Sequence, residues 1–305
     1  MEKRRRAINI DIVNKLAAAG CKVFENRKLS EVCSFKIGGN VNYFIEIPHE
    51  PALSFFLKTA SVENFRFFIL GGGTNVLFSD KGFSGCVIKL MGDFKNISID
   101  GVKITCGGAV FLPSLVKKSI CENLSGLECC AGIPGTVGGA VLGNAGSGQN
   151  WISDTIESVE VYNRNGEKEL INKEKIDFDY RKSGLENFII SKVNFTLKKE
   201  TGNGILKVVS DKIKNRAKTQ PLPFPSAGCI FRNPLGLSAG KLIEDAGLKG
   251  RKKRGAKVSE IHANFIINVA NATADDVLDL IYTVRKTVKD KFNIDLELEI
   301  KVIKA

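Results

Sequence analysis

Two glycine runs carry the densest chemical information in the chain. The first, Leu70-Gly71-Gly72-Gly73-Thr74-Asn75-Val76-Leu77, follows the apolar run Phe65 to Leu70. Three successive glycines let the backbone turn tightly and present bare N–H groups to an anion, and Thr74 and Asn75 can add side-chain hydrogen bonds. A pyrophosphate cradle and a plain strand-to-turn linker both fit this loop taken alone. The second run, Gly132 to Gly148, has glycine at seven of seventeen positions, against a background of about 7%. Such density is costly in conformational entropy, so a close approach of backbone to backbone, or of backbone to ligand, has to justify it. Neither loop satisfies G-x-G-x-x-G, and no G-x-x-x-x-G-K-[ST] occurs, which argues against a Rossmann dehydrogenase and a nucleotide triphosphatase. Two separate loops still suit a long, doubly anchored ligand such as a dinucleotide.

The elements that must position these loops alternate. Val41 to Ile47 reads as extended, Ala52 to Ala60 as helical and Phe65 to Leu70 as extended, an α/β pattern. Strand signals then dominate at Asn96 to Ile99, Val102 to Cys106, Ser158 to Tyr162 and Phe188 to Leu197. Asn163-Arg164-Asn165-Gly166 reads as a hairpin turn, with the Asn-Gly pair suited to type I′. After Lys199 the run Glu200-Thr201-Gly202-Asn203-Gly204 has loop chemistry and no apolar period, and a domain boundary is expected there. Ile205 to Lys218 reads as a basic helix stopped by Pro221. Thr273 with Asp276 resembles a capping arrangement for a helix reaching about Lys291, and Ile294 to Ile303 alternates as a closing strand.

With 305 residues, 43% of them apolar and 26% charged, the chain is long enough for two domains or three small ones. No run approaches the roughly 18 apolar residues of a spanning helix. Met1 to Arg6 followed by Ala18-Ala19-Gly20-Cys21 imitates a lipoprotein export signal, but Asp11, Asn14 and Lys15 interrupt the apolar stretch of about 7–15 residues that export needs. Ile8, Ile12, Leu16 and Ala19 instead recur at helical spacing, as on an amphipathic surface helix ended by Gly20. A cytoplasmic protein is expected, its eight cysteines reduced and mostly buried. Only His49 and His262 supply imidazoles, and no C-x-x-C occurs, so a metal centre is not expected. The net charge of +12 suits an acidic partner and peaks at Lys249 to Arg254. No aromatics interleave with that run, so a solvated loop or a phosphate-rich small molecule suits it better than nucleic acid.

Beyond the glycine loops, further stretches complete a pattern: Ser34-Phe35-Lys36-Ile37-Gly38-Gly39, Tyr180-Arg181-Lys182-Ser183, Pro225 to Pro234, Ala239-Gly240-Lys241-Leu242-Ile243, His262-Ala263-Asn264-Phe265 and Leu298-Glu299-Ile300. In this order, over nearly the whole chain, they resemble the UDP-N-acetylenolpyruvoylglucosamine reductase family. The resemblance implies an α+β chain: a vanillyl-alcohol-oxidase-like (PCMH-type) FAD-binding fold of two α/β subdomains, 1–93 and 94–200, plus a C-terminal α/β substrate domain, 201–305. The short span between Tyr180 and Pro225 looks like the family's compact type, without the inserted tyrosine-bearing loop. FAD would be bound non-covalently and NADPH would be the co-substrate. A UDP-sugar enolpyruvate would be reduced to UDP-N-acetylmuramate for peptidoglycan. A monomer is expected.

The resemblance also implies roles. Cofactor contacts would come from Ile37, Gly38, Gly39, Gly71, Gly72, Gly73, Thr74, Asn75, Gly132, Pro134, Gly135, Thr136, Gly138, Gly139, Asn144, Ala145 and Gly146. Arg181 matches the catalytic arginine, whose planar fork suits a carboxylate. Glu299 matches the catalytic glutamate and is expected to have a raised pKa, because it must help to stabilise an enolate-like dianion. Cys229 stands where the family usually has a serine as proton donor; a thiol, with an ordinary pKa near ~8.5, is the stronger acid. Substrate contacts would come from Tyr180, Arg216, Asn233, Lys241 and His262, with Gln220 a weaker candidate. His262 reads equally well as a satisfied core imidazole, and Trp151 as structural. Read without the resemblance, Arg181 would be an ion-pair residue and Glu299 a solvent-facing strand residue. Two other readings compete: an FAD-linked oxidase, which explains only the flavin half, and a basic nucleic-acid binder, which rests on charge alone.

Overall fold

The computed structural model describes residues 10–148, 150–200 and 204–305. The charged opening Met1–Arg6, Ile8 of the first helix and Thr201-Gly202-Asn203 of the expected linker lie outside the described residues. The chain divides into two compact units. The first is built from Met1–Glu25, Asn42–Gly72 and Gly85–Lys214, the second from Asn26–Val41, Gly73–Ser84 and Asn215–Ala305.

The first unit contains two apolar cores. One gathers Ile12 and Leu16 from the helix Ile10–Ala18, Leu53, Phe56 and Leu57 from the helix Glu50–Glu63, and Ile45, Cys86 and Ile88 from strands. Its sheet is ordered Lys22–Lys28, Asn40–Ile47, Phe83–Leu90, Phe67–Ile69, and the last pair is parallel. The second core packs Val159, Val161, Val193 and Phe195 beneath the helices Leu112–Cys121 and Val137–Leu142. Those four residues sit at alternate positions, the period-2 spacing of strands with one face on this core, while Tyr162 and Ile189 of the same strands are buried in the first core. The sheet here is antiparallel throughout, ordered Lys168–Asn172, Ile156–Tyr162, Ile189–Thr196, Lys103–Gly107, Ile97–Asp100.

The hairpin between Ile156–Tyr162 and Lys168–Asn172 is present, but its turn is not type I′. Gly166 has a positive φ, +82°, while neither Arg164 nor Asn165 does. Gly166 N–H donates to Asn163 O at 3.1 Å, giving a type I turn closed by a left-handed glycine. The Asn163 side chain decides this: its Oδ1 accepts from both Asn165 N–H, 2.9 Å, and Glu167 N–H, 3.1 Å.

The second unit pairs Ser226–Cys229, Phe265–Asn268, Ala256–Val258 and Lys252–Lys253 in an antiparallel sheet. The helix Ala274–Phe292 opens with the expected reciprocal cap. Thr273 Oγ1 accepts from Asp276 N–H, and Asp276 Oδ2 accepts from Thr273 N–H. The basic run from Lys249 lies partly in the hairpin Lys252–Lys253 with Ala256–Val258, where Lys249 pairs with Glu244 and Lys253 with Asp279. The expected closing strand Ile294 to Ile303 is a strand only at Lys301–Ile303, which runs parallel to Val76–Phe78. Residues 297–299 instead bond to the chain just after Cys229. Arg232 N–H donates to Glu297 O, Glu299 N–H donates to Ile230 O, and Leu298 makes an isolated bridge with Phe231. Among the described residues no helix is long and apolar enough to cross a membrane.

Candidate functional site

The two glycine loops meet within the first unit. A Cβ on Gly72 would stand 2.6 Å from Gly135 Cα, and one on Gly71 would stand 2.7 Å from Thr136 Oγ1. Gly72 is therefore a packing requirement, since backbone touches backbone where the loops cross, while a side chain at Gly71 would meet the Thr136 hydroxyl and Gly135 takes the positive φ, +117°, that favours glycine. Thr136 caps the short helix Val137–Leu142, its Oγ1 accepting from Gly139 N–H at 3.3 Å. Gly138 N–H donates to Gly108 O, and Leu112 N–H donates to Gly135 O, so the loop is fastened to the second core from both sides. Gly132, Pro134 and Gly139 are exposed, although Gly139 N–H is taken by Thr136 Oγ1 and Gly139 O by Gly143 N–H.

At the end of that helix the chain grips the arginine turn. Asn144, buried and left-handed at φ +37°, donates through Nδ2 to Asp179 O at 3.1 Å, and Ser183 Oγ donates to Leu142 O at 2.9 Å. Asp179 and Lys182 exchange both backbone hydrogen bonds, leaving Tyr180 and Arg181 at the corner of a two-residue turn. Arg181 occupies the second corner position with φ +57°. This conformation costs a side-chain-bearing residue about 1 kcal/mol or more, and such strain concentrates where function requires it. Asn144 Oδ1 is also buried with no donor to it among the described residues. An acceptor in that state fits a bound ring N–H, and this is the observation that suits the site to an isoalloxazine.

The second unit collects the other signature residues. Ser34 Oγ reaches both Gly73 O, 3.2 Å, and Ser226 O, 2.6 Å, and Asn268 Nδ2 donates to Phe35 O. The segment bearing Ile37, Gly38 and Gly39 is thereby tied to Gly73 and to the strand of Cys229. Gly39 N–H donates to Ser79 O, and Ile37 is fully enclosed. Asn75 Nδ2 donates to Glu299 O at 3.2 Å, and Lys301 N–H donates to Asn75 O. Thr74 is half-buried. The strand Ser226–Cys229 is bulged: Ser226 pairs with Ile267 but Cys229 with Phe265, and Gly228 takes φ +79° between them. A bulge of this kind re-aims the next side chain, here the half-buried Cys229. Because Glu299 N–H is bonded to Ile230 O at 2.8 Å, Cys229 and Glu299 stand on adjacent backbone runs.

The clamp behind these runs is Asn264, which sequence reading treated only as part of a motif. Its Oδ1 accepts from Phe231 N–H, 2.9 Å, its Nδ2 donates to Phe231 O, 2.8 Å, and its own O accepts from Ile230 N–H. At 3% exposure, Asn264→Leu would strand two buried backbone groups. The expected loss of stability is about 2–4 kcal/mol, seen as a lower urea midpoint at unchanged slope.

The remaining expected substrate contacts are placed as follows. Asn233 Oδ1 accepts from Ala239 N–H at 3.0 Å, at the start of the helix Ala239–Asp245. Lys241 extends outward from that helix, 67% exposed, and pairs with Asp245, which raises its pKa. His262 is half-buried, its Nδ1 accepting from Asn264 N–H, its ring against Phe265 and its Cε1 at 3.1 Å from where a Cβ on Gly240 would stand. Burial, and then the Lys249 charge, lower its pKa and favour neutral imidazole. Arg216 is half-buried on the helix Gly204–Thr219, and Gln220 follows that helix, its N–H donating to Arg216 O. Trp151 is the residue whose place the sequence did not suggest: its ring lies against Tyr180 and Arg181. Its following the second glycine loop was the available signal.

Comparison with known proteins agrees with this geometry. Residues 41–170 match the FAD binding domain family, and residues 220–303 match the UDP-N-acetylenolpyruvoylglucosamine reductase C-terminal domain. The UDP-N-acetylenolpyruvoylglucosamine reductase of Caldanaerobacter subterraneus subsp. tengcongensis is 38% identical over 97% of this chain and 98% of its own. That of Bacillus licheniformis is 39% identical over 92% and 94%. The crystal structure of the Thermus caldophilus enzyme superposes with a TM-score of 0.80 at 33% identity, covering 93% of this chain and 98% of that one. The BBE-like 1 protein of Physcomitrella patens, at 14% identity and a TM-score of 0.58, shares the fold alone. The fold is the expected PCMH-type FAD-binding fold with a C-terminal domain, and with relatives this similar over this much of its length the chain belongs to the UDP-N-acetylenolpyruvoylglucosamine reductase family.

Proposed function

We propose that the chain reduces UDP-N-acetylglucosamine enolpyruvate to UDP-N-acetylmuramate, a step of peptidoglycan precursor synthesis, with FAD bound non-covalently and NADPH as reductant. The observation that carries this reading is the placement of Cys229 and Glu299 on backbone runs joined by the Glu299 N–H to Ile230 O bond. An FAD-linked oxidase gives no reason for that pairing.

Bound FAD, once reduced by NADPH, would supply the hydride that reaches the terminal carbon of the enolpyruvyl group. It would be held through Gly132, Pro134, Thr136, Gly139, Asn144 and Gly146, and through Ile37 to Gly39 and Gly71 to Asn75. Arg181 would grip the substrate carboxylate with its planar fork. Charge pushed onto that carboxylate during reduction would be stabilised by Arg181 and by Glu299, provided that Glu299 is protonated or hydrogen-bonded. The Cys229 thiol would deliver the proton to the carbon next to the carboxylate, completing addition of H⁻ and H⁺ across the double bond. Asn233, Tyr180, Arg216, Lys241 and His262 are the proposed contacts to the sugar nucleotide.

The division into 1–93, 94–200 and 201–305 is likewise proposed; the three principal sheets fall one to each part. A monomer working in the cytoplasm completes the reading; six buried free cysteines suit a reducing compartment. The test is anaerobic stopped-flow of the purified protein. Flavin absorbance should bleach with NADPH and recover on adding UDP-N-acetylglucosamine enolpyruvate. Bleaching without recovery, or no flavin at all, would sink the reading.

A further inference from the structure

The guanidinium of Arg181 lies over two aromatic rings at once. Its central carbon is 5.5 Å from the centroid of Trp151 and 5.5 Å from that of Tyr180. The rings meet edge to face at 5.7 Å and 76°, so they form one corner rather than two separate contacts. Both distances are within the roughly 6 Å over which a cation is held by a ring quadrupole. A third contact comes from Gly146 O, to which Arg181 Nη1 donates at 3.5 Å.

Trp151 is held in that corner by backbone. Its strand Asn150–Trp151 pairs with Gly146–Ser147, setting Trp151 opposite Gly146, and its N–H donates to Asp154 Oδ2 at 2.8 Å. A Cβ on Gly146 would stand 2.8 Å from Trp151 Cα and 2.9 Å from its Cε3. The indole can lie there only because position 146 has no side chain. The turn bearing Arg181 is fixed just as firmly by Asn144 and Ser183.

We propose that Trp151, together with Tyr180, is a positioning residue for Arg181: the aromatic corner fixes the plane of the guanidinium before the substrate carboxylate arrives. This rests on the reading of Arg181 as the carboxylate-holding residue. A π face holds a guanidinium by its plane, and so sets the direction in which its N–H fork points. Lysine could not replace it, because an ammonium has no plane to be fixed.

Trp151 is the chain's one tryptophan, so its fluorescence reports this contact without substrate or turnover. In the holoenzyme, Arg181→Ala should change the Trp151 emission relative to wild type; identical emission would overturn the proposed contact. In anaerobic stopped-flow, Trp151→Leu should slow flavin reoxidation by UDP-N-acetylglucosamine enolpyruvate about 5- to 30-fold. Trp151→Phe should recover most of that rate, and Trp151→Leu/Arg181→Ala should be no slower than Arg181→Ala alone. Wild-type reoxidation in Trp151→Leu, or a double variant slowed by the product of the single effects, would overturn the positioning role while leaving Arg181 in place. If Arg181→Ala itself reoxidises normally, the underlying reading of Arg181 is what fails.

Discussion

Cys229→Ala should slow flavin reoxidation by the enolpyruvyl sugar nucleotide about 10²- to 10⁴-fold, the usual contribution of a positioned general acid, and should slow bleaching by NADPH far less. The two half-reactions separate because only the second needs a proton delivered to carbon. Cys229→Ser should keep turnover within about tenfold of wild type, since a hydroxyl on the same bulged strand supplies a proton in the same place. The pH profile distinguishes the two acids. A thiol donor must be protonated to act, so the wild-type rate of reoxidation should fall on the alkaline side as the thiol ionises, and the serine variant should lose that limb. Equal reoxidation in wild type and Cys229→Ala would remove position 229 from the chemistry. The thiol also brings a liability that serine lacks. Cys229 is half-buried, and alkylation by iodoacetamide should inactivate wild type and spare Cys229→Ser.

Gly72→Ala should have the second large effect, and it acts through the cofactor rather than the acid. The added methyl would stand 2.6 Å from Gly135 Cα. The obstacle is backbone, so the two loops must part and no side chain can rotate out of the way. Overpacking of this kind costs about 1–3 kcal/mol in the fold. A ligand gripped by both loops should suffer more, because its contacts depend on their separation. The expected result is protein purified with less than a tenth of the wild-type flavin-to-protein absorbance ratio. Gly143→Ala serves as the control: its Cβ would meet nothing closer than Gly139 O at 3.6 Å, and flavin should be retained. Full flavin occupancy in Gly72→Ala would show that the crossing of the loops does not set the cofactor site.

Much of this architecture was legible in the sequence because period-2 and period-3.6 patterns are local. The strands around Val41 to Ile47 and Ser158 to Tyr162, the helix capped by Thr273 and the helix before Pro221 all appear within a residue or two of expectation. What was not legible depends on partners far along the chain. Ile294 to Ile303 alternates as a strand should, and Leu296 and Ile300 are indeed buried. Yet its backbone partner changes midway, from residues 230–232 to residues 76–78, and no continuous ladder forms. The turn at Asn163 was found but mistyped, because a side chain accepting two backbone N–H groups outweighed the Asn-Gly preference. Within the site, glycine density marked the loops but could not reveal that Gly72 and Gly135 touch each other. Nor could sequence alone place Trp151 over an arginine thirty residues later, since that contact depends on a two-residue strand and a strained turn.

The parallel pairing of Val76–Phe78 with Lys301–Ile303 bears on how the protein is made. On the ribosome, the strand that follows the first glycine loop emerges early, and its partner only after a further 301 − 76 = 225 residues. Loop-closure entropy grows slowly with length, so the delay weighs little on final stability. It weighs heavily on timing, because non-local parallel pairing is intrinsically slow and leaves strand edges exposed meanwhile. The nascent chain therefore spends most of its synthesis with the Val76–Phe78 edge uncovered, an interval in which a chaperone that shields apolar strands would raise the yield of active protein.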